Sequence, residues 1–351
     1  MIAEIPIYLF VTNPIISGFT SGCLNFMHRS ISPKLISRRK KLSTFPDGLY
    51  EYGGVPVGGA RFTSPWATHW FVDGISGSDA NAGKKPNEAK ATVDAAVQLA
   101  GVGDIIYIRP LVYVVGTGMA RYTEQVTVDL AQSNLSIIGV NYPNNNEFGP
   151  RLRYISSGYN MDVSGPALHL ENIHFFEATS SSGPIILRNN GATNTQRGSD
   201  GFTAYNCHFK GGVVYLQGGQ AGRFVNCVFY LGTPDIATGY LLLADSGVSG
   251  YNQQVRNCQF LDNNGAAPAV NYFTTAGAHV YNLLVEGCHF GQIPTSSAFF
   301  TIGGTLSTGM IVNCFFNSTN VDTDTDVSIG GTTFRLVQCF DQTGMIDATN
   351  D

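Results

Sequence analysis

One short phrase recurs through the second half of the chain and constrains what it can fold into. It reads Asn172-Ile173-His174-Phe175, Asn206-Cys207-His208-Phe209 and Asn226-Cys227-Val228-Phe229. It returns as Asn257-Cys258-Gln259-Phe260, Gly287-Cys288-His289-Phe290 and Asn313-Cys314-Phe315-Phe316, and ends in a degraded copy, Gln338-Cys339-Phe340. From Cys207 the cysteines are spaced by 20, 31, 30, 26 and 25 residues. A period of that size is the mark of stacked units, none of which can bury its own apolar face alone.

The phrase has a mechanical reading. In Cys-x-Phe the first and third side chains share one face of a strand. The middle position is chemically mixed (His208, Val228, Gln259, His289, Phe315) and therefore faces mostly outward. Three positions before each Cys stands an apolar or small residue: Ala204, Phe224, Val255, Val285, Ile311 and Leu336. The residue just before Cys is Asn four times, Gly once and Gln once, and Asn and Gly best tolerate a left-handed backbone. A sharp bend there joins two short strands. Gln338 departs from the pattern and predicts a distorted last coil. Stacking such coils, with strands about 4.8 Å apart, puts Cys above Cys and Phe above Phe. The predicted fold is all-β, a single-stranded parallel β-helix. A β-sandwich with a chance pattern is the competing reading, and six Cys-containing copies in similar local company argue against it.

Composition agrees. Charged residues make up 13% of the 351, and Gly numbers 41, as in a turn-rich β protein. Of seven cysteines, six belong to the repeat and Cys23 stands apart. The spacing suits an internal ladder of reduced thiols, although stacked Cα atoms come close enough that bridges stay open as an alternative. No CxxC pair suggests a metal. Free core thiols fit assembly in a reducing compartment.

Residues 1–45 differ from the rest. An apolar opening is interrupted by Glu4 and Pro6 and lacks a basic leader or small-residue cleavage site, so a signal peptide is not expected. No uninterrupted apolar run is long enough to span a membrane. Arg29, Lys34, Arg38, Arg39, Lys40 and Lys41 then leave this segment at +5 and the remainder at −10. An apolar and then basic arm predicts docking on an acidic partner; one short cluster without an aromatic platform does not predict nucleic-acid binding. Gly53-Gly54 and Gly58-Gly59 bracket a connector. The expected organisation is an anchoring arm and linker over 1–67, a cap and entry over 68–110, the β-helix over 111–345 and a tail over 346–351.

The entry segment carries the second specific signal. His69 through Val72 reads as a strand, and Gly77-Ser78-Asp79-Ala80-Asn81-Ala82-Gly83 as a turn. Val93, Ala96, Val97 and Ala100 form one apolar stripe, predicting a short amphipathic helix over 89–100 that closes the open end of the solenoid. Gly103-Asp104-Ile105-Ile106-Tyr107-Ile108 reads as the next strand. This order resembles the entry of right-handed parallel β-helix proteins, the pectin-lyase-like superfamily. The usual Pro-Gly-x-Tyr turn is replaced by Pro110-Leu111-Val112-Tyr113. The resemblance spans about residues 68–345. It implies a right-handed β-helix, and a superfamily that includes polysaccharide lyases, glycoside hydrolases and many virus tailspike and virion proteins.

The sequence offers few groups for chemistry. Alternating oxygen side chains at Asp79 and Asn81 suit calcium, but the other ligands of an EF-hand loop are missing, and Asp and Asn equally serve backbone amides in a turn. Asp322, Asp324 and Asp326 form a second weak metal candidate, read first as an exposed polar loop. Neither loop predicts a bound cofactor. A glycosidase needs two carboxylates at a set separation; Asp200, Asp235 and Glu286 are the candidates, with no spacing that pairs any two. His208 and His289 occupy the same phrase position with two coils between them, too far for a close pair. The expected function is a bacteriophage virion structural protein. Residues 1–60 would anchor it to capsid or tail proteins, and the β-helix would project as head decoration, fibre or spike. It is expected as a homotrimer, assembled in the host cytoplasm and located in the virion. The alternative is a tailspike depolymerase that binds and cleaves host surface polysaccharide. A secreted β-helix is the third reading.

Overall fold

The computed structural model describes residues 67–111, 113–114, 118–119, 121–140, 149–153, 158–176, 183–189, 196–211, 214–231, 241–244, 248–262, 273–275, 279–291, 299–302, 306–317, 327–329 and 333–346, together with 51–52 and 55–56. The chain divides into units 1–49 and 50–351, and the first lies wholly outside the described residues, as do Cys23 and Trp66.

From Asn172 onward, each coil of the second unit is built from the repeated phrase. In one coil, Thr203–Tyr205 is a strand, Asn206 bends at φ 51°, and His208–Lys210 is the next strand. Val214–Leu216 follows as a third strand before the next coil begins at Arg223–Val225. Repetition yields three long parallel sheets. The first has ten strands, from His69–Val72 to Thr333–Val337. The second has eight, from Tyr122–Thr123 to Phe315–Phe316, and the third has eight, from Val126–Val128 to Val327–Ile329. Connections between parallel strands of one sheet are right-handed, since a right-twisted strand packs back onto its sheet only that way. The molecule is a right-handed parallel β-helix, as expected.

The phrase bends as its chemistry demands. Asn172, Asn226, Asn257 and Asn313 have φ of 56°, 54°, 52° and 52°, and Gly287 has 62°. Gln338 takes the same bend, at 52°, and Thr333–Val337 keeps its full parallel register with Thr308–Val312. The distortion expected of the last bend is absent. Neighbours in the stack impose the left-handed turn on Gln338 although a longer side chain does not favour it.

A second left-handed column escaped the sequence reading. Asn134, Ala167, Gly201, Ala221, Asn252 and Asn282 have φ between 53° and 66° and stand just before strands of the first sheet. Their residue types are mixed, and so no motif marks them. What they share is an amide that donates to the next coil: Ala167 N to Asp200 O at 2.7 Å, Gly201 N to Gln220 O at 2.7 Å, Ala221 N to Tyr251 O at 2.8 Å.

Inside, the stacking is continuous. Phe175, Phe209, Phe229, Phe260, Phe290 and Phe316 stack in order, with centroids 4.7–5.3 Å apart. Those separations equal the strand spacing, so each ring lies flat on the last. The six repeat cysteines are buried and free. Each thiol from Cys227 onward donates to a carbonyl of the preceding coil: Cys227 to Ala204 at 3.5 Å, Cys258 to Phe224 at 3.6 Å, Cys288 to Val255 at 3.5 Å and Cys339 to Ile311 at 3.4 Å. Burial pushes the Cys207 and Cys258 thiols well up, followed by their sulfur neighbours.

The cap helix is shorter than predicted, Val93–Val97. Lys90 is held in a bridge to Val72, and Asp79 accepts from the amides of Ala91 and Thr92, so the helix starts only afterwards. Thr92 caps it by accepting from Ala95 N. Val93, Ala96 and Val97 are buried against the first coils, as the stripe predicted. Glu124 reaches from the next coil to accept from Val93 N at 2.9 Å and Asp94 N at 2.8 Å, answering two of the unpaired amides of the helix start. Trp70 is buried in the same corner and donates its indole N–H to Asp104 Oδ2 at 2.9 Å. Burial pushes Asp104 up, but bonds from Trp70, Gly101 and Thr68 outweigh it and hold the carboxyl below the usual range.

Candidate functional site: a basic and aromatic face of the second sheet

The carboxylates singled out from sequence are occupied in holding the fold. Asp200 Oδ2 accepts from Arg197 Nε at 2.7 Å, and Oδ1 from Gln220 N at 2.9 Å and Asn189 Nδ2 at 3.4 Å. This braces the turn ahead of Thr203–Tyr205. Glu286 lies directly across from Arg256 on the neighbouring strand, and the two pair at 2.9 Å. Asp200 and Glu286 belong to coils three strand spacings apart, about 14 Å along the axis. A glycosidase pair stands about 5–9.5 Å apart, so the fold does not bring these two together as one. Asp235 lies outside the described residues, as do Asp322, Asp324 and Asp326.

The glycine-rich loop at 77–83 is a tied turn. Asp79 accepts from Ala91 N, Thr92 N and Thr92 Oγ1 at 2.9–3.0 Å, and Asn81 donates its amide to Ala89 O at 2.9 Å. Among the described residues no group of three or more His, Cys, Asp or Glu is arranged to hold a metal.

Histidine gives a different result. His208 and His289 are indeed separated, with Val228 and Gln259 between them in the register. The partner that sequence reasoning passed over is His174, in the preceding copy of the phrase. It lies across from His208 in the parallel register, and their rings stack at 4.0 Å. The signal was available: His at the middle position of two successive copies. Burial holds both below the ordinary imidazole value, with the positive neighbours Arg151 and Lys210 adding to it, and His208 is lowered to about 4.

Those neighbours define the most distinctive surface of the molecule. On the second sheet Phe175 and its counterparts point inward, and the residues on either side point out in two columns. Arg121, Arg151, His174 and His208 follow one column; Arg153, Phe176, Lys210 and Tyr230 follow the other. Arg121 takes its place because Tyr122, next to it, is paired with Leu152. Three cations converge on the half-buried Phe176 ring: Arg121 Cζ at 4.6 Å, Lys210 Nζ at 5.0 Å and Arg151 Cζ at 5.2 Å from its centre. Lys210 Nζ also lies 5.1 Å from the Tyr230 ring. Distances under about 6 Å are cation–π contacts. Burial and then the charge of Arg153 lower Arg121, and burial followed by Arg121 and Arg151 lowers Lys210. No motif announced this face: its members come from five coils and are 109 residues apart at the extremes, Arg121 to Tyr230.

No family model matches the sequence, and no curated protein does. Solved structures do. A rhamnogalacturonan lyase superposes with a TM-score of 0.51 at 14% identity, covering 78% of this chain and 74% of that one. A pectin methylesterase from carrot gives 0.50 at 12% identity, covering 80% of this chain and 84% of its own. The chain has the pectin-lyase-like β-helix fold. At these identities the likeness is one of architecture, which serves a lyase and an esterase alike and leaves activity to particular side chains.

Proposed function

We propose that the chain is a structural protein of a bacteriophage particle, held to capsid or tail through residues 1–60 and projecting its β-helix as a rigid, non-cleaving body. The observation that supports this best is the use made of its acidic side chains. Asp200, Glu286, Asp79 and Asp104 each accept from an arginine, an indole or backbone amides. A catalytic acid needs a reacting proton within reach and a second group placed to match it, and these pairings supply neither. The +5 charge of residues 1–45 in a chain of net −5 supports an arm that docks on an acidic surface. The free thiols support assembly in the reducing cytoplasm of a host before incorporation into the virion. A homotrimer is part of the reading, supported by Phe315, Phe340 and Met345, exposed together at the C-terminal end of the second sheet.

The test is incorporation. Full-length chain and a form lacking residues 1–60 are supplied during phage assembly, and purified particles are probed for each. Incorporation of the full chain alone is the expected result, with a trimer mass by light scattering. Release of oligosaccharides from a host polysaccharide, abolished by Asp200→Asn, Asp235→Asn or Glu286→Gln, would overturn the reading in favour of the depolymerase.

A further inference from the structure

We propose that the outer side of the second sheet, from Arg121 to Tyr230, binds the acid groups of a carboxylated or sulfated polysaccharide. Arg121, Arg153 and Lys210 would hold the ligand's oxygens. The inference rests on the reading of the β-helix as a projecting, non-cleaving body, and gives that body a ligand.

Among the described residues, part of the charge on this face has no carboxylate partner. Arg109, Arg188, Arg197 and Arg256 each pair with a carboxylate. Among the described residues no such pair reaches Arg121, Arg153 or Lys210. The Nε atoms of Arg121 and Arg153 are buried without a hydrogen-bond partner. The strand residues of this face from Tyr122 to Leu231 include no Asp or Glu. Like charges gathered on one face repel, and more strongly near a protein surface than in water. A chain of net −5 that collects cations on one face has built a site for anions. Guanidinium groups hold carboxylate and sulfate oxygens in bidentate fashion.

The shape of the site selects among anions. The cations stand in two columns across three strand spacings, about 14 Å along the axis, on the outer side of a parallel sheet. Such a strip suits an extended polymer with acid groups at intervals. Single-stranded nucleic acid is held by bases stacked on open aromatic faces, whereas here three cations already converge on Phe176. A protein partner would seek an apolar anchor point, and Phe176 is half-buried beneath the charges. An acidic sugar chain needs neither.

The experiment measures binding of the full-length chain to immobilised polygalacturonate, dextran sulfate, neutral dextran and a single-stranded oligonucleotide over a range of salt. The expected result is salt-sensitive binding to one or both acidic polysaccharides and none to neutral dextran. The double variant Arg153→Gln/Lys210→Gln should bind about tenfold more weakly or worse, with a shallower salt dependence, as fewer counterions are released. The charge-keeping Arg153→Lys/Lys210→Arg should bind more tightly than the double glutamine variant, and the distant Arg335→Gln should bind nearly as the natural chain does. Unfolding midpoints identify any variant that fails to fold; for such a pair, loss of binding in Arg121→Gln takes its place. Failure to bind either acidic polysaccharide, equal binding to the oligonucleotide, or equal loss in Arg335→Gln overturns the proposal. Incorporation into particles, read on the same preparations, reports on the arm separately.

Discussion

The two ends of the second sheet share one backbone plan and differ in everything that points outward. At the N-terminal end the outer columns carry Arg121, Arg151, Arg153, Lys210 and a stacked histidine pair. At the C-terminal end they carry Gln259, His289 and the exposed Phe315 and Phe340. Between the columns the inward position is phenylalanine from Phe175 to Phe316. A parallel sheet separates the two tasks by its alternation of faces. One column can be fixed by packing while its neighbours, a single residue away, change from basic to apolar without disturbing it.

The largest effect should come from placing charge on the inward column. Phe260→Asp buries a carboxylate among stacked rings and should abolish cooperative folding. Phe260→Ala should cost about 3–5 kcal/mol, the usual range for emptying such a site. Gln259→Ala, one residue away and exposed, should stay within about 0.5 kcal/mol. Urea unfolding of the three proteins checks the contrast, and comparable losses at 259 and 260 would show that the columns are not independent.

Acid should separate the two ends next. Folded His174 and His208 are held below the free value of 6.5, His208 at about 4. As pH falls below 6.5 the unfolded chain takes up protons that the folded chain refuses. Stability should therefore decline between pH 6.5 and about 4. Asp73 and Asp104 behave oppositely in origin. Their folded values lie below 3.8, so their contribution is complete above that pH and is lost only as pH falls through the lowered values. Urea midpoints at pH 7, 5.5 and 4.5 should fall in turn, and His208→Gln should flatten the decline. An unchanged slope in that variant would remove the histidine pair from the account.

A smaller effect tests the bend that joins the sheets. Gly287 has φ 62°, and a Cβ there would meet Asn257 Oδ1 at 2.6 Å. Gly287→Ala should cost about 1–3 kcal/mol, as for strained left-handed residues. Asn257→Gly, in the same bend one coil earlier, should cost only tenths. The smallest expected change is Glu286→Gln. Its bond to Arg256 is about 40% exposed on both sides, and solvent limits such a pair to at most about 1 kcal/mol.

Much of the fold was legible because the repeat writes its packing into the sequence. Cys207, Phe209 and their counterparts recur since each coil must match the one below, and Asn precedes them since the bend is left-handed. The cap could be read from its apolar stripe, although its length could not. Only the tertiary bonds of Asp79 and the Lys90 bridge show why it begins at Val93. The second bend column was illegible because Ala167, Gly201, Ala221 and Asn282 share a role, an amide that donates to the next coil, and not a residue type.

The candidate site lay at the other extreme. Arg121, Arg153, Phe176, Lys210 and Tyr230 are unremarkable where they stand in the chain, and loops of unequal length separate them. The sequence by itself determined the interior, because burial repeats with the coil and admits few side chains at each inward position. Only the tertiary structure decided the charged face and the fate of Asp200 and Glu286. Parallel register sets outward residues from successive coils about 4.8 Å apart, and that neighbourhood depends on how many residues each loop consumes between coils.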